Sequence, residues 1–364
     1  MPLPDTPIES VTASIYRMPT RAPEADGTLS WTSTTAVVVE VTAAGGGGLG
    51  WTYGSGAAAA VIDGLRDDLI GCDALDIAGA WSRMHRAARN WGTRGLVGQA
   101  ISAVDIALWD LKARLLDVPL ARLFGRVRQT VPVYGSGGFT SLGRAELAEQ
   151  VDLWTRAGCK AMKIKIAQDW GHRCDRDLAR VRRLAHLAGA GVELMVDANG
   201  GYTRGQARRI GEQLTQLGVV WFEEPVSSAD LDGLAATREA VTCDVAAGEY
   251  ITDLDEARAL CPIVDCLQLD ATRCGGYTGW LRAAAVAQSW HVDVSAHCAP
   301  ALHAPVATAI PHLRHVEWFY DHMRFERHLV RGGPEVVDGR LQVDDFRVGH
   351  GMTLSSSAAS CRVR

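Results

Sequence analysis

The fold is decided by residues 160–317, where short apolar runs recur and each carries a charged residue at or near its end. In order, the runs are KAMKIK (160–165), VELMVD (192–197), VVWFEE (219–224), CDVAAGE (243–249), CLQLD (266–270), VDVSAH (292–297) and HVEW (315–318). The charged residues recur every 20 to 32 positions, and about 30 residues is the length of one strand-helix-strand unit. This spacing predicts a parallel barrel whose functional residues lie at the C-terminal ends of its strands.

The barrel pattern begins soon after Phe124. The run QTVPVYGSG (129–137) is typical of a strand, a helical pattern follows from Arg144 to Ala157, and the two patterns then alternate to about Trp318. Eight strands separated by helices favour a closed α/β barrel over residues 126–324.

The first 125 residues have a different pattern. Three strands are predicted at VTASIYRM (11–18), TTAVVVEV (34–41) and LGWTYGS (49–55), with helices at 57–71, 77–91 and 97–117. Glycines 45–48 indicate a hairpin connection between the last two strands. Gly45, Gly47 and Gly50 also match G-x-G-x-x-G, but a strand rather than a helix follows, so no dinucleotide site is supported. A meander followed by helices predicts an α+β domain.

Two further segments lie outside these elements. The polar stretch RMPTRAPEADGTLSW (17–31) is too long for a simple turn, which favours a lid or a binding loop. Residues 325–364 are predicted to be a tail that packs back on the N-terminal domain.

Composition excludes several classes of protein. The formal net charge of −5 argues against nucleic-acid binding. The nine cysteines are odd in number and contain no CxxC pair, which fits a reducing compartment. We find neither a signal peptide nor an apolar run of the ~18 residues that a membrane helix needs. A soluble cytoplasmic protein with no membrane partner is expected.

Three acids at successive strand ends predict a metal site. Asp197, Glu223 and Glu249 are expected to point into one barrel mouth, where unpaired carboxylates would oppose each other's ionisation. A divalent cation resolves this conflict, and oxygen ligands favour Mg²⁺. The alternative is that some of these acids cap helices or form surface ion pairs.

Two lysines and a histidine indicate proton chemistry. Lys163 and Lys165 alternate along one strand and therefore face the same side. A neighbouring ammonium and a metal would lower the pKa of Lys165 and make it a base, although a structural ion-pair network remains open. Asp270 can fix the tautomer of His297 and leave its other nitrogen free for proton transfer. Glu317 can donate a hydrogen bond to a substrate if it stays protonated.

Taken together, these motifs resemble one known family. K-x-K at 163–165, D-A-N at 197–199, W-F-E-E-P at 221–225 and G-E at 248–249 precede Asp270, His297 and Glu317. In this order they resemble the enolase superfamily, specifically its mandelate racemase subgroup. The resemblance covers essentially the full length. It implies an N-terminal α+β capping domain (1–125) and a modified TIM barrel, (β/α)7β.

The resemblance also implies roles for single residues. Asp197, Glu223 and Glu249 correspond to Mg²⁺ ligands, and Glu224 to a supporting residue. On one face of the substrate, Lys165 corresponds to the base that Lys163 tunes. The opposite face would receive the His297–Asp270 acid/base pair, while Glu317 would hydrogen-bond the substrate carboxylate.

The first implied step is abstraction of the proton α to a carboxylate, giving a metal-stabilised enediolate. Because residues 17–31 are polar, we expect an acid-sugar dehydratase that converts an aldonate or aldarate into a 2-keto-3-deoxy acid. The alternatives are a racemase or epimerase of 2-hydroxy acids, a lactone cycloisomerase, and a non-catalytic barrel that binds sugar acids. The resemblance also implies a homo-oligomer. Candidate substrate-binding residues are Asn199, Arg21, Tyr134 and Arg273.

Overall fold

In a computed structural model, which describes residues 6–363, a three-stranded antiparallel sheet opens the chain. Its strands, in spatial order, are β1 (Ile8–Ala25), β2 (Ser30–Ala43) and β3 (Gly46–Tyr53). The helices that follow are α1 (Ala58–Leu65), α2 (Ile77–Ala87), α3 (Leu96–Leu115) and the single turn α4 (Leu120–Leu123). The predicted meander and helices are therefore confirmed.

Eight parallel strands then close into a barrel. They are β4 (Thr130–Gly137), β5 (Ala161–Lys165), β6 (Glu193–Asp197), β7 (Val219–Glu223), β8 (Asp244–Ala247), β9 (Cys266–Leu269), β10 (Asp293–Ala296) and β11 (Leu313–Phe319). Each strand pairs with the next in the chain, and β11 pairs with β4 through Val316 beside Val133 and Phe319 beside Ser136. The predicted closed barrel is confirmed.

Helices connect the successive strands. They are α5 (Arg144–Arg156), α6 (Gln168–Gly171), α7 (Cys174–Ala188), α8 (Arg204–Gln216), α9 (Leu231–Ala240), α10 (Leu254–Leu260), α11 (Gly276–Ser289) and α12 (Pro300–Ala307). A further helix, α13 (Tyr320–Leu329), directly follows β11 where the sequence indicated only a tail. Its buried Phe325 and Leu329 lie four residues apart, on one face of the helix, so the sequence carries only a weak helical signal here.

The barrel interior is divided into an apolar layer and a polar layer above it. Six buried residues from six successive strands form the lower layer: Tyr134, Ala161, Met195, Trp221, Ala246 and Cys266. Lys163 lies two residues beyond Ala161 on β5 and also faces inward. The charged residues therefore lie on the C-terminal side of this apolar layer, toward the barrel mouth.

The N-terminal sheet packs tightly on α3. Helix α3 is buried along most of its length and contacts β2, β3 and α11. A Cβ atom on Gly48 would overlap the carbonyl oxygen of Ala107, so this position in β3 needs glycine. The glycine-rich run therefore serves helix packing as well as the hairpin turn at residues 44–45.

Residues 17–31 form a β-hairpin extension, so the expectation of a loop was wrong. β1 and β2 remain paired as far as Ala25 and Ser30, with an interruption of the ladder between Pro19 and Glu24. We call this segment the capping hairpin. At its tip, the carbonyl oxygen of Ala25 accepts a hydrogen bond from the backbone N of Thr140 at 2.7 Å, and that of Gly27 accepts one from the backbone N of Trp170 at 3.0 Å. The tip thus docks on the loops that follow β4 and β5, at the barrel mouth.

The C-terminal tail contacts both parts of the molecule. Strand β12 (Val330–Arg331) pairs with β15 (Thr353–Leu354), and β13 (Val336–Val337) pairs with β14 (Arg340–Gln342). β14 also pairs with the barrel strand β4. On the N-terminal side, His350 Nε2 lies 2.8 Å from the carbonyl oxygen of Leu49. The domain boundaries at residues 125 and 324 stay a prediction.

Among residues 6–363, no helix combines the length and the apolar character required to cross a membrane.

The docking of the capping hairpin can be tested at its tip. A Cβ atom on Gly27 would lie 2.7 Å from the carbonyl oxygen of Ile166 and 2.9 Å from that of Ala167. We therefore expect Gly27→Ala to weaken docking by about 1–3 kcal/mol, the usual cost of overpacking. Amide hydrogen exchange of Thr140 and Trp170 should then accelerate on the order of 10-fold or more.

The matched control is Gly47→Ala, because the nearest atom to a Cβ there is 4.0 Å away. This variant should leave both exchange rates unchanged. Unaltered protection of Thr140 and Trp170 in Gly27→Ala would contradict the docking described above.

Candidate active site

The barrel gathers the charged residues of the strand ends into one buried group. Lys165, Asp197 and Glu223 are the last residues of β5, β6 and β7. One or two residues beyond β8, β9 and β10, and within β11, lie the remaining members: Glu249, Asp270, His297 and Glu317. None of the seven is more than 5% exposed. Such burial requires that each charge be paired or bound to a cation.

The three predicted metal ligands lie together. Asp197, Glu223 and Glu249 each offer a carboxylate oxygen, and these oxygens lie within 4.8 Å of one another. Within the described part of the chain, Glu249 Oε2 accepts no hydrogen bond, and neither do the buried oxygens Glu224 Oε1 and Asn199 Oδ1. Burying an oxygen atom without a hydrogen-bond donor costs free energy, but such an oxygen is a suitable ligand for a hard cation. These carboxylate oxygens therefore form a ligand set that fits Mg²⁺.

The acids also oppose one another's ionisation. Burial, followed by repulsion from Asp197, raises the pKa of Glu223 well above its usual value. Burial and the charge of Glu249 do the same to Glu224. A bound dication would relieve this repulsion and favour the ionised forms.

Both lysines are held by these acids. Lys163 Nζ donates to the two carboxylate oxygens of Glu223 at 2.6 Å and lies 2.9 Å from Glu317 Oε1. Lys165 Nζ donates to Asp197 Oδ2 at 2.5 Å.

The ionisation of Lys165 differs from the expectation. Burial alone would lower the pKa of Lys165, but the carboxylates of Asp197, Glu317 and Glu249 together outweigh burial and raise that pKa above its usual value. The predicted lowering assumed a bound cation, whereas here the carboxylates face the ammonium group directly. Lys165 can therefore act as a base only when the acids are bound to a cation.

His297 and Asp270 form the expected pair. His297 Nδ1 lies 2.9 Å from Asp270 Oδ2, which leaves Nε2 directed into the site, 3.4 Å from Glu249 Oε2. Although burial raises the pKa of Asp270, the hydrogen bond from His297 and the charge of Arg273 bring it below its usual value. An ionised Asp270 accepts the hydrogen bond of Nδ1 and so orients the imidazole.

Glu317 accepts hydrogen bonds and does not donate them. Ser136 Oγ donates to it at 2.6 Å, and the backbone N of Cys298 donates at 2.9 Å. Burial raises the pKa of Glu317, but the positive charges of Lys163 and Lys165, with His297 and the hydrogen bond from Ser136, together lower it well below its usual value. The hypothesis of a protonated Glu317 is therefore not met in this structure.

The four candidate substrate-binding residues have different positions. Asn199 lies at the mouth, and its backbone N donates to Asp197 Oδ1 at 2.9 Å. Arg273 Nη1 donates to Glu249 Oε1 at 3.0 Å, so it braces an acid of the site. Tyr134 is buried below the acids, with its hydroxyl 3.2 Å from Lys163 Nζ. Arg21 is exposed on β1 and is not brought into the charged group.

Sequence reasoning missed three residues that organise the site. With its amide oriented to satisfy both neighbours, Gln268 donates to Glu223 Oε2 at 2.7 Å and accepts from the Tyr134 hydroxyl at 3.0 Å. Its place two residues before Asp270 on β9 was a signal that it also faces inward. His303 Nε2 accepts from the backbone N of Ala271, and Cys298 Sγ lies 3.2 Å from His297 Nε2. Burial raises the pKa of the Cys298 thiol well above its usual value.

Comparison with known proteins decides the family. Residues 10–125 match the mandelate racemase / muconate lactonizing enzyme N-terminal domain, and residues 146–358 match the enolase C-terminal domain-like family. The chain belongs to the mandelate racemase/muconate lactonizing enzyme family. The resemblance to the enolase superfamily inferred from the motifs is thus confirmed.

Three members of this family illustrate the similarity. A crystal structure of a mandelate racemase/muconate lactonizing enzyme-like protein from Rubrobacter xylanophilus has a TM-score of 0.95 and 43% identity, covering 98% of this chain and 100% of that one. L-talarate/galactarate dehydratase from Salmonella typhimurium is 31% identical over 96% of this chain and 90% of its own length. The 3,6-anhydro-α-L-galactonate cycloisomerase of Streptomyces coelicolor is 33% identical over 95% and 97%.

The Salmonella dehydratase also has a solved structure with Mg and L-lyxarohydroxamate. Its TM-score is 0.92 with 29% identity, and the match covers 99% of this chain and 94% of that one.

The metal site can be tested through stability. At a concentration 100 times its dissociation constant, Mg²⁺ should stabilise the folded protein by about 2.7 kcal/mol, which thermal unfolding detects as a higher Tm. EDTA should reverse the shift. Glu249→Gln should lose most of it because a ligand charge is removed.

Glu193→Gln is the matched control, since Glu193 is an exposed acid at the opposite end of β6. It should keep the full shift. An equal response to Mg²⁺ in Glu249→Gln and the wild-type protein would contradict the assigned site.

The capping hairpin contains a buried acid that should respond to pH. Glu24 accepts from Trp31 Nε1 at 3.1 Å, and Thr34 Oγ1 donates to the nearby Asp321 at 2.5 Å. Burial and the charge of Asp321 raise the pKa of Glu24 from 4.5 to about 8, despite Arg324 at 3.7 Å.

Because the folded-state pKa of Glu24 is higher than its unfolded value, the protonated acid stabilises the fold. This contribution is complete below about pH 4.5 and is lost as the pH rises through about 8. Glu24→Gln should therefore flatten the alkaline decline of Tm, whereas Glu40→Gln, an exposed acid on β2, should not. Superimposable Tm profiles for wild type and Glu24→Gln would rule out this effect.

Proposed function

We propose that the protein is a Mg²⁺-dependent hydro-lyase that dehydrates an acid sugar, an aldonate or an aldarate, to a 2-keto-3-deoxy acid. One observation carries the proposal: two candidate proton-transfer groups lie at opposite ends of the three acids. Lys165 Nζ is 2.5 Å from Asp197, and His297 Nε2 is 3.4 Å from Glu249. A substrate carboxylate bound at the acids would place its α and β carbons between the two groups.

The acids would hold the cation through Asp197, Glu223 and Glu249. When bound, Mg²⁺ supplies positive charge that binds the substrate carboxylate and stabilises the negative charge developing on it. Arg273, 3.0 Å from Glu249 Oε1, holds one of these acids in place.

Proton transfer is assigned to the two flanking groups. In its neutral form, Lys165 removes the α-proton, which breaks the carbon–hydrogen bond and leaves the electron pair on the substrate. Protonated His297 donates its Nε2 proton to the β-hydroxyl, so the carbon–oxygen bond breaks and water departs. Asp270, 2.9 Å from Nδ1, stabilises the imidazolium before this step. The resulting enol tautomerises to the 2-keto acid.

Lys163 and Glu317 act as positioning residues in this scheme. The Lys163 ammonium joins Glu223 to Glu317, 2.6 Å and 2.9 Å away. This contact fixes one metal ligand and orients Glu317 toward the same space as His297 Nε2, 3.8 Å from Glu317 Oε2. A fixed arrangement of charges lowers the reorganisation needed during reaction.

Similarity to named enzymes supports dehydration. The Salmonella relative is an L-talarate/galactarate dehydratase, and its match spans nearly the whole chain. Other relatives include a D-xylonate dehydratase and a D-galactonate dehydratase. The polar side chains of the capping hairpin also suit a polyol substrate better than an aromatic one.

The second candidate is cycloisomerisation of a sugar-acid derivative. It is favoured by the 33% identity to the Streptomyces cycloisomerase. The same Lys165 and His297 would serve both reactions, since both begin with loss of the α-proton. The two reactions differ in the later step: in dehydration His297 protonates a leaving hydroxyl and water is lost, whereas in cycloisomerisation no water is lost.

A screen of acid sugars distinguishes these reactions. Aldonates, aldarates and cyclic sugar-acid derivatives are incubated with the Mg²⁺-loaded protein in D₂O, and 2-keto-3-deoxy product, ring opening or closure, and α-deuterium are scored. We expect keto product from at least one acid sugar. The Glu249→Gln variant is the matched control and should give none.

The other outcomes of the screen contradict dehydration. Deuterium exchange without keto product would favour an epimerase, and ring opening or closure without loss of water would favour the cycloisomerase. Neither signal across the library would favour a barrel that only binds sugar acids.

A further inference from the structure

A second group of metal-ligating atoms lies beside the three acids. His297 Nε2 and Cys298 Sγ are 3.2 Å apart, Cys298 Sγ and Glu317 Oε2 are 3.3 Å apart, and His297 Nε2 and Glu317 Oε2 are 3.8 Å apart. All three residues are buried, at most 5% exposed. They follow or belong to the neighbouring strands β10 and β11, so the barrel itself fixes their spacing.

We propose that His297, Cys298 and Glu317 form a binding site for a thiophilic divalent cation, such as Zn²⁺ or Cd²⁺. Zinc bonds of about 2.0–2.3 Å at tetrahedral angles place ligand atoms roughly 3.3–3.6 Å apart. The three separations between ligand atoms, 3.2, 3.3 and 3.8 Å, are within about 0.2 Å of this range. Only small side-chain shifts are needed to admit the cation.

The surroundings of these ligands are those of a metal site. Asp270 holds the Nδ1 side of the imidazole, which leaves the Nε2 lone pair directed at Cys298. Carboxylate partners of this kind orient the histidine ligands of zinc sites. The other oxygen of Glu317 is fixed by Ser136 and Lys163. The side chains that would orient both ligands are therefore already in place.

The carboxylate of Glu249, which is also assigned to the Mg²⁺ site, faces the same space. Glu249 is 4% exposed, and its Oε2 atom, 3.4 Å from His297 Nε2, has no hydrogen-bond donor among residues 6–363. It offers a fourth ligand atom beside His297 Nε2, Cys298 Sγ and Glu317 Oε2. Sulfur and imidazole ligands select zinc-like ions, whereas the three acids select Mg²⁺.

Binding would replace the Cys298 S–H bond with a sulfur–metal bond, and the thiol proton would leave to solvent. The thiolate and the Glu317 carboxylate then balance the charge of the cation. The consequence for turnover rests on the proposed function. A cation on Nε2 occupies the atom assigned to proton donation, so it should inhibit an enzyme that Mg²⁺ activates.

The test is a titration of the full-length, Mg²⁺-saturated protein with Cd²⁺. Binding is followed by the ultraviolet charge-transfer band between thiolate and cadmium, which needs no substrate or activity. We expect the band to saturate at one Cd²⁺ per chain. It should disappear in Cys298→Ala and Cys298→Ser. Cys174→Ala, which removes a partly buried cysteine of α7, is the matched control and should keep it.

The affinity for Cd²⁺, measured by equilibrium dialysis, should fall at least about 10-fold in the Cys298 variants. Metal affinity falls by about this factor even when only a hydrogen-bond partner of a ligand is removed. Thermal unfolding verifies that each variant is folded, and the Cys298→Ser variant keeps the steric shape. An undiminished band in a folded Cys298 variant, or no band in the wild-type protein, would overturn the site. Because the band is independent of catalysis, failure of the dehydratase proposal would leave this result unaffected.

Discussion

The buried ammonium group of Lys163 is the constraint on which the rest of the site depends. It lies at the centre of the barrel, fully buried, and contacts Glu223 and Glu317 from strands on opposite sides of β5. An unpaired charge there would be prohibitively costly, so these acids must face it. The pairing of β11 with β4 makes this contact possible because it closes the barrel and brings Glu317 close to β5.

Around this centre, acidic groups outnumber basic ones. Lys163, Lys165 and Arg273 are the cationic side chains, and six buried acids accompany them: Asp197, Glu223, Glu224, Glu249, Asp270 and Glu317. The excess negative charge explains both the raised pKa of Glu224 and the fit of a dication. It also explains why Lys165 is held as an ammonium when only carboxylates face it. Metal binding and the basicity of Lys165 are thus linked through the same acids.

Much of this arrangement was predictable from the sequence, because parallel strands bring their C-terminal ends to one edge. Asp197, Glu223 and Glu249 follow that rule, and so does His297 with Asp270. The capping hairpin could not be predicted, since its strands depend on pairing with each other and on docking of Gly27 at the barrel mouth. The ionised state of Glu317 depends on its contact with Lys163, which is distant in the sequence and close only in the folded barrel. Cys298 could not be recognised as a candidate ligand from the sequence, because its contact with Glu317 on β11 exists only in the folded structure.

The central claim is that Lys165 and His297 perform different steps on the same substrate. The most direct measurement is solvent-deuterium incorporation by Lys165→Ala and His297→Asn, with an acid sugar that the wild-type protein converts in the presence of Mg²⁺. Our account predicts that His297→Asn still exchanges the α-proton but forms no keto acid, whereas Lys165→Ala does neither. Exchange by Lys165→Ala, or dehydration by His297→Asn at the wild-type rate, would contradict it.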